Sequence, residues 1–401
     1  MLRKPISEKI KSIAPCAAAV AVFAAVLFEP KSALFGGRNG VVLCLDTVVP
    51  SLFALMFAVT LLGESGALAA LSRLLSPFAR LIGLPPDGSA ALVAAALGGY
   101  PAGAKAAVGM YERGGISRQQ ACRLAELCVC AGPAFIFGMS GTLISTGAAA
   151  ALAAAEPCAM VICAAVSRFF SKNSVDNNFD NHNYVNHNKF ESPRRSFSEC
   201  IVNAAAQTSS AMLTVCVFVV LFSALRELLA ASGAAQRICH ILTSVGVPDE
   251  LANAALPVLL EVTSGSISAS EAGLPTLAFA LGFGGISVHM QIFGLCRRLR
   301  LSALRFELFR LAQGLTAALV TSLIMRMLPS VCCAAIPGEN KMTASTPMGA
   351  VTLIVMCIMF MLCTEPDDGI ILRRRSRYPC SEPSGSGRSW SERASFFQRP
   401  R

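Results

Sequence analysis

From Ile201 to Leu229 the chain runs for 29 residues in which Arg226 and Glu227 are the only charges. A bilayer core is crossed by about 20 apolar residues of helix, so such a run is what a spanning segment requires. Comparable stretches recur at 15–28, 41–62, 89–110, 121–144, 148–170, 251–270, 274–296, 304–328 and 347–363. Composition agrees: 54% of the 401 residues are hydrophobic and 14% charged, where soluble domains carry about a quarter charged. A water-soluble fold is excluded, and an all-α polytopic membrane protein is predicted.

The first apolar stretch follows Arg3, Lys4, Lys9 and Lys11 and is superficially like a signal peptide. With no small-x-small cleavage site after it and more spans to come, it is read as an uncleaved helix. The 16 cysteines are scattered through apolar runs with no C-x-x-C pair. They are read as small hydrophobes of a reduced compartment, not as a disulfide framework or a metal site. Of the net charge of +10, six units come from eight arginines set against Glu382 and Glu392 in the tail beyond Gly369. A basic tail beside a last span fits topology or lipid headgroups better than nucleic acid. The stretch 171–199 is polar and Asn-rich; its His182 and His187 are read as part of a disordered connector.

The two sides of that connector repeat each other. In the first, a span ending near Leu62 leads to an amphipathic stretch, the turn Gly83-Leu84-Pro85-Pro86-Asp87, and an apolar run broken at Gly98–Gly103. In the second, a span ending near Leu229 leads to an amphipathic stretch, the turn Gly246-Val247-Pro248-Asp249, and an apolar run broken at Glu261–Ser266. A glycine-punctuated span follows each break, Gly132–Gly138 and Gly282–His289. Basic residues follow the first break directly (Arg113, Arg118, Arg123) but in the second half come one turn later (Arg297, Arg298, Arg300). If basic loops stay in the cytoplasm, equivalent loops lie on opposite sides, and the repeats are inverted. Charge bookkeeping then closes with cytoplasmic termini, about eight spanning helices and two re-entrant broken hairpins. The expected organisation is an N-terminal helix (1–40), a first repeat (41–170), a cytoplasmic linker (171–199), a second repeat (200–333), a last span (334–368) and a disordered tail (369–401).

Broken hairpins in inverted halves point to a midplane solute site. Pro101 and Gly103 break the first helix, and the amides freed at the next half-helix favour an anion. Lys105, one turn on, adds a charge or else snorkels to the interface. Glu261, Thr263, Ser264, Ser266 and Ser268 surround Gly265 as a polar lining. Glu261 is free to pair with Lys105, carry a proton or hold a cation; the sequence leaves these open. His289 and Gln291 are side-chain donors within a span, with a packing histidine equally admissible. Asp46 with Pro50 is a weaker candidate. Gly138-Met139-Ser140-Gly141 matches the G-x-S-G of rhomboid-type proteases, with His289 as a possible base. That short match ignores the repeat, and an enzyme is not expected.

The blocks Gly99–Lys105, Ala131–Gly138 and Gly282–Gln291 resemble the YlbJ-type sporulation integral membrane proteins of the wider nucleoside-recognition, or Gate-domain, group. The resemblance spans roughly residues 10–365. It implies an endospore-forming bacterium, a role in spore maturation and cortex formation, and placement in the membrane around the forespore. It also implies passage of dipicolinate, a small aromatic dianion. The expected function is a carrier or channel component with no cofactor or metal, whose partners are the bilayer, a small anion and other sporulation membrane proteins. Its site is expected to use Gly99, Tyr100, Pro101, Gly103, Lys105, Gly132, Pro133, Glu261, Thr263, Ser264, Gly265, His289 and Gln291. A nucleoside-like solute is the alternative within transport, and a non-transporting scaffold for cortex assembly the alternative outside it.

Overall fold

The computed structural model describes residues 6–67, 77, 79, 88–112, 114–140, 144–170 and 196–329. Arg73, Arg80, the turn at 83–87, Arg113, the body of the Asn-rich linker, the last apolar segment and the Arg-rich tail lie outside the described residues. The described chain is helical throughout, without a strand.

Helix α1 (Ile6–Phe28) meets α2 (Pro30–Leu43) at a sharp bend of 103°. Pro30 opens α2 at the one turn where its missing N–H is harmless. The apolar segment predicted from Val41 is extended by α2, in which Gly36, Gly37 and Gly40 are helical. Two of these glycines seat the helix: Gly36 and Gly40 bring α2 onto α9 (Phe197–Ala231) at backbone contact. A π-turn at Cys44–Val48 joins α2 to α3 (Val49–Glu64). Helix α9 starts at Phe197, inside the expected linker, because Ser196 and Glu199 form a reciprocal capping box there.

Two antiparallel hairpins follow the same plan. Helix α4 (Ser89–Gly98) turns at Gly99 into α5 (Tyr100–Glu112), and α11 (Asp249–Leu260) turns at Glu261 into α12 (Val262–Glu271). Both returning arms press a glycine into the outgoing arm. A Cβ at Gly103 would lie 2.7 Å from the Ala95 Cβ, and one at Gly265 would lie 2.7 Å from the Val258 Cα. After the first hairpin come α6 (Arg118–Leu127), an extended stretch, and α7 (Pro133–Phe135) running into a π-turn at Ile136–Ser140. After the second come α13 (Leu274–Phe283) and α14 (Gly285–Leu295), separated at Gly284. A long helix closes each series, α8 (Thr146–Phe170) and α15 (Ala303–Met327). Helix α10 (Ala234–Ser244) precedes the second hairpin.

Four segments among the described residues are long and apolar enough to cross a membrane: α8, α9, α13 with α14, and α15. The bent pair α1–α2 would make five. The sequence reading expected about eight. Breaks account for part of the difference, since Leu52–Glu64 and Ser89–Gly98 are apolar but short. Helix α15 has the inverted polarity of a lipid-facing helix. Leu308, Leu311, Leu315, Leu319 and Leu323 are exposed, whereas Arg310, Gln313 and Thr321 are buried. The chain is an integral membrane protein.

Candidate solute-binding cavity

The two hairpin turns meet across a narrow cavity of about 40 Å³, which has room for a few waters. Gly98, Gly99, Tyr100 and Pro101 of the first turn form one wall, and Glu261, Val262 and Thr263 of the second form another. Gly132, which precedes α7, Phe135 of α7, and Val288 and Gln291 of α14 close it. Leu52 and Met56 of α3 and Val215 and Val219 of α9 complete an apolar side.

Each turn has a local cause. Gly99 has φ +79°, a left-handed backbone that suits glycine, and packs against Gly132 so closely that a Cβ on Gly132 would lie 2.9 Å from the Gly99 nitrogen. Tyr100 is pinned at both ends of its ring. Its edge contacts Phe135, with centroids 6.3 Å apart, and its hydroxyl donates to the Leu281 carbonyl at 2.7 Å. At the second turn Glu261 is extended (φ −153°, ψ 131°) and buried. Its two carboxylate oxygens accept from the Thr263 and Ser264 amides at 2.8 and 2.7 Å. The chain's own carboxylate thus takes the positive end of α12 that a solute anion would need. The break at Gly284 sits directly behind, because a Cβ at Gly285 would lie 3.1 Å from the Glu261 nitrogen.

Seven of the thirteen expected site residues line this cavity: Gly99, Tyr100, Pro101, Gly132, Glu261, Thr263 and Gln291. The other six are placed elsewhere. Gly103 and Gly265 hold the hairpin arms together, and Pro133 starts α7 beside Gly132. Ser264 faces a second, open pocket of about 370 Å³ with Asp46, Asn39, Ser223 and Arg226. Lys105 is half-buried on α5 within electrostatic reach of Glu64, whose carboxylate accepts from Gln207 at 2.9 Å. Glu261 caps α12, and Lys105 lies within electrostatic reach of Glu64.

His289 is fully buried between Phe283 and Phe306, with ring centroids 4.8 and 5.3 Å away. Its Nε2 lies 2.8 Å from the Phe283 carbonyl and its Nδ1 3.0 Å from a Glu307 oxygen. Both nitrogens are thus engaged; the Ser140 side chain and Gly141 of the G-x-S-G match lie outside the described residues. By tying the Gly284 break to α15, His289 orders the cavity's rear wall.

A third set of buried polar groups escaped the sequence reading. Arg310 donates to the Val129 carbonyl at 2.6 Å, the Glu126 carbonyl at 3.0 Å and Gln313 at 2.7 Å, and Gln313 donates to Val129 at 2.8 Å. These bonds satisfy the carbonyls left open where α6 ends. Glu126, itself buried, pairs with Arg305 at 2.7 Å. The signal was available: a charge within an apolar run is a functional or structural anchor by default.

Residues 45–170 match the family described as Gate, nucleoside recognition. Over 328 residues the chain is 25% identical to the sporulation integral membrane protein YlbJ of Bacillus subtilis (strain 168), covering 76% of this chain and 80% of that protein. No solved structure matches the chain.

Proposed function

We propose that the chain is a membrane carrier or channel component of spore-forming cells that moves a small heteroaromatic solute between its two hairpin turns. The observation that carries this reading is the cavity itself, bounded by both turns, α7 and α14. Non-helical backbone at membrane depth persists where it lines a cavity, and helix ends that converge on one are a solute-site arrangement. The matching order of hairpin, broken helical stretch and long helix on the two sides supports two repeats, and the loop charges support their inversion. The similarity to a sporulation membrane protein supports the cellular setting.

The cavity's chemistry favours an uncharged solute of the nucleoside class. Its described lining offers Thr263 and Gln291 as hydrogen-bonding side chains, apolar walls for a flat ring, and no cation. A dianion such as dipicolinate would meet the Glu261 carboxylate. At about 40 Å³ the cavity is smaller than a nucleoside, so binding one requires the hairpins to part. The second reading, dipicolinate passage, is supported by Lys105 one turn beyond the Gly99 break and by the start of α5 at the cavity wall.

Uptake of labelled uridine and of labelled dipicolinate into proteoliposomes holding the full chain separates these readings. Uridine uptake that falls about 3- to 10-fold in Gln291→Ala, the loss expected for one neutral hydrogen bond, supports the nucleoside-class reading. Dipicolinate uptake abolished by Lys105→Ala moves the assignment to the anion. Uptake of neither by folded protein overturns the carrier reading in favour of a membrane scaffold.

A further inference from the structure

Glu156 sits in the middle of α8 with no accessible surface, and neither of its carboxyl oxygens has a hydrogen-bond partner among the described residues. Arg310 of α15, also buried, lies within electrostatic reach of it. The terminal nitrogens of Arg310 are committed to Val129, Glu126 and Gln313, but its Nε donates to nothing. The two residues interact electrostatically, yet neither Glu156 oxygen nor the Arg310 Nε has a hydrogen-bond partner among the described residues. A vacant acceptor pair and a vacant donor of opposite formal charge thus stand close together in the protein interior.

A bare, ionised carboxylate in such a place costs several kcal/mol unless it is paired and hydrogen-bonded. The arrangement is therefore stable with Glu156 carrying a proton, and the unused Nε of Arg310 is the donor that would receive the carboxylate once the proton leaves. Other groups do not supply a competing charge. Tyr100 and Cys130 lie within electrostatic reach as neutral groups. Helix α13 and the π-turn at Ile136–Ser140 present no ionisable side chain. On α6, Arg123 points toward Ser167, near the other end of α8, and Glu126 is held by Arg305.

Position in the fold gives the pair a consequence. Glu156 lies ten residues beyond Thr146, the start of α8, and Gln313 ten residues beyond Ala303, the start of α15. At the latter place the side chain joins Arg310 in holding the carbonyls that lead to Gly132, a cavity wall. A change of charge at Glu156 would act on the same guanidinium.

We propose that Glu156 is a proton-binding site: its carboxyl is neutral in the described conformation, and on losing its proton to water it becomes a carboxylate that accepts a hydrogen bond from the Nε of Arg310. Its role as the coupling site of a carrier rests on the transport reading above, whereas proton binding itself does not. Infrared difference spectroscopy tests it, with the full chain in phosphatidylcholine–phosphatidylglycerol vesicles titrated from about pH 5 to about pH 10. The expected result is a carboxylic-acid C=O band that is absent from Glu156→Gln, displaced in Glu156→Asp, and lost from the parent as the pH rises. A band that persists across the whole range makes Glu156 a permanently neutral packing group and overturns the proposal. So does the absence of any band removed by Glu156→Gln. A titrating band in protein that takes up neither uridine nor dipicolinate leaves the proton site standing and removes the carrier reading alone.

Discussion

The Tyr100 hydroxyl donates a 2.7 Å hydrogen bond to the Leu281 carbonyl, joining the first hairpin turn to α13 across 181 residues of sequence. Helix α13 ends at Phe283, so the Leu281 carbonyl is one of the last-turn acceptors with no amide ahead of it. Tyr100→Phe keeps the ring against Phe135 but leaves this buried carbonyl open. The expected cost is about 1–3 kcal/mol, read as a lowered unfolding temperature in detergent, whereas Tyr111→Phe, with its hydroxyl outside these contacts, changes it little.

How much of this arrangement was legible in the sequence depended on the range of the interaction. Gly99 and Pro101 announce a break because their backbone preferences act locally, and Glu261 within an apolar run marks a polar turn. The partners were not legible. Nothing near Tyr100 names Leu281, nothing near Arg310 names Val129, and Glu261 offered Lys105 as readily as the amides two and three residues ahead of it. The role of Gly36 and Gly40 was not legible for the same reason: glycine weakens an isolated helix, and only the distant face of α9 turns these residues into an advantage.

Capping by Glu261 predicts a graded response. Glu261→Gln retains one side-chain oxygen and so serves one of the two amides, while Glu261→Ala serves neither. Loss of a helix cap costs about 0.5–2 kcal/mol, so alanine should destabilise the protein more than glutamine by thermal unfolding. Equal effects would mean that the charge at the start of α12, not the pair of hydrogen bonds, holds the turn.

Arg310 predicts a larger loss. It is a buried guanidinium that satisfies two backbone carbonyls and Gln313, and Arg310→Met removes these bonds together. The expected cost is about 3–5 kcal/mol, seen as low yield of folded protein and early melting. Arg305→Met takes one partner from Glu126 at a position whose side chain is 54% exposed. It should cost less, since it takes one partner from the buried Glu126, whereas Arg310→Met opens two backbone carbonyls and Gln313 at once.

The packing of α2 on α9 gives the sharpest contrast between adjacent residues. A Cβ at Gly36 would lie 2.6 Å from the Ser223 carbonyl oxygen, and one at Gly40 would lie 2.7 Å from the Val220 Cα; at Gly37 there is nothing within 4 Å. Gly40→Leu must push the two helices apart, and overpacking of this kind costs about 1–3 kcal/mol. Gly37→Ala adds a methyl facing open space and exchanges glycine for the better helix former, a gain of up to about 1 kcal/mol. Thermal unfolding of the two variants should therefore move in opposite directions from the parent. If both fall, α2 does not lie on α9 as described; if both are unchanged, that contact contributes nothing to the stability of the folded chain.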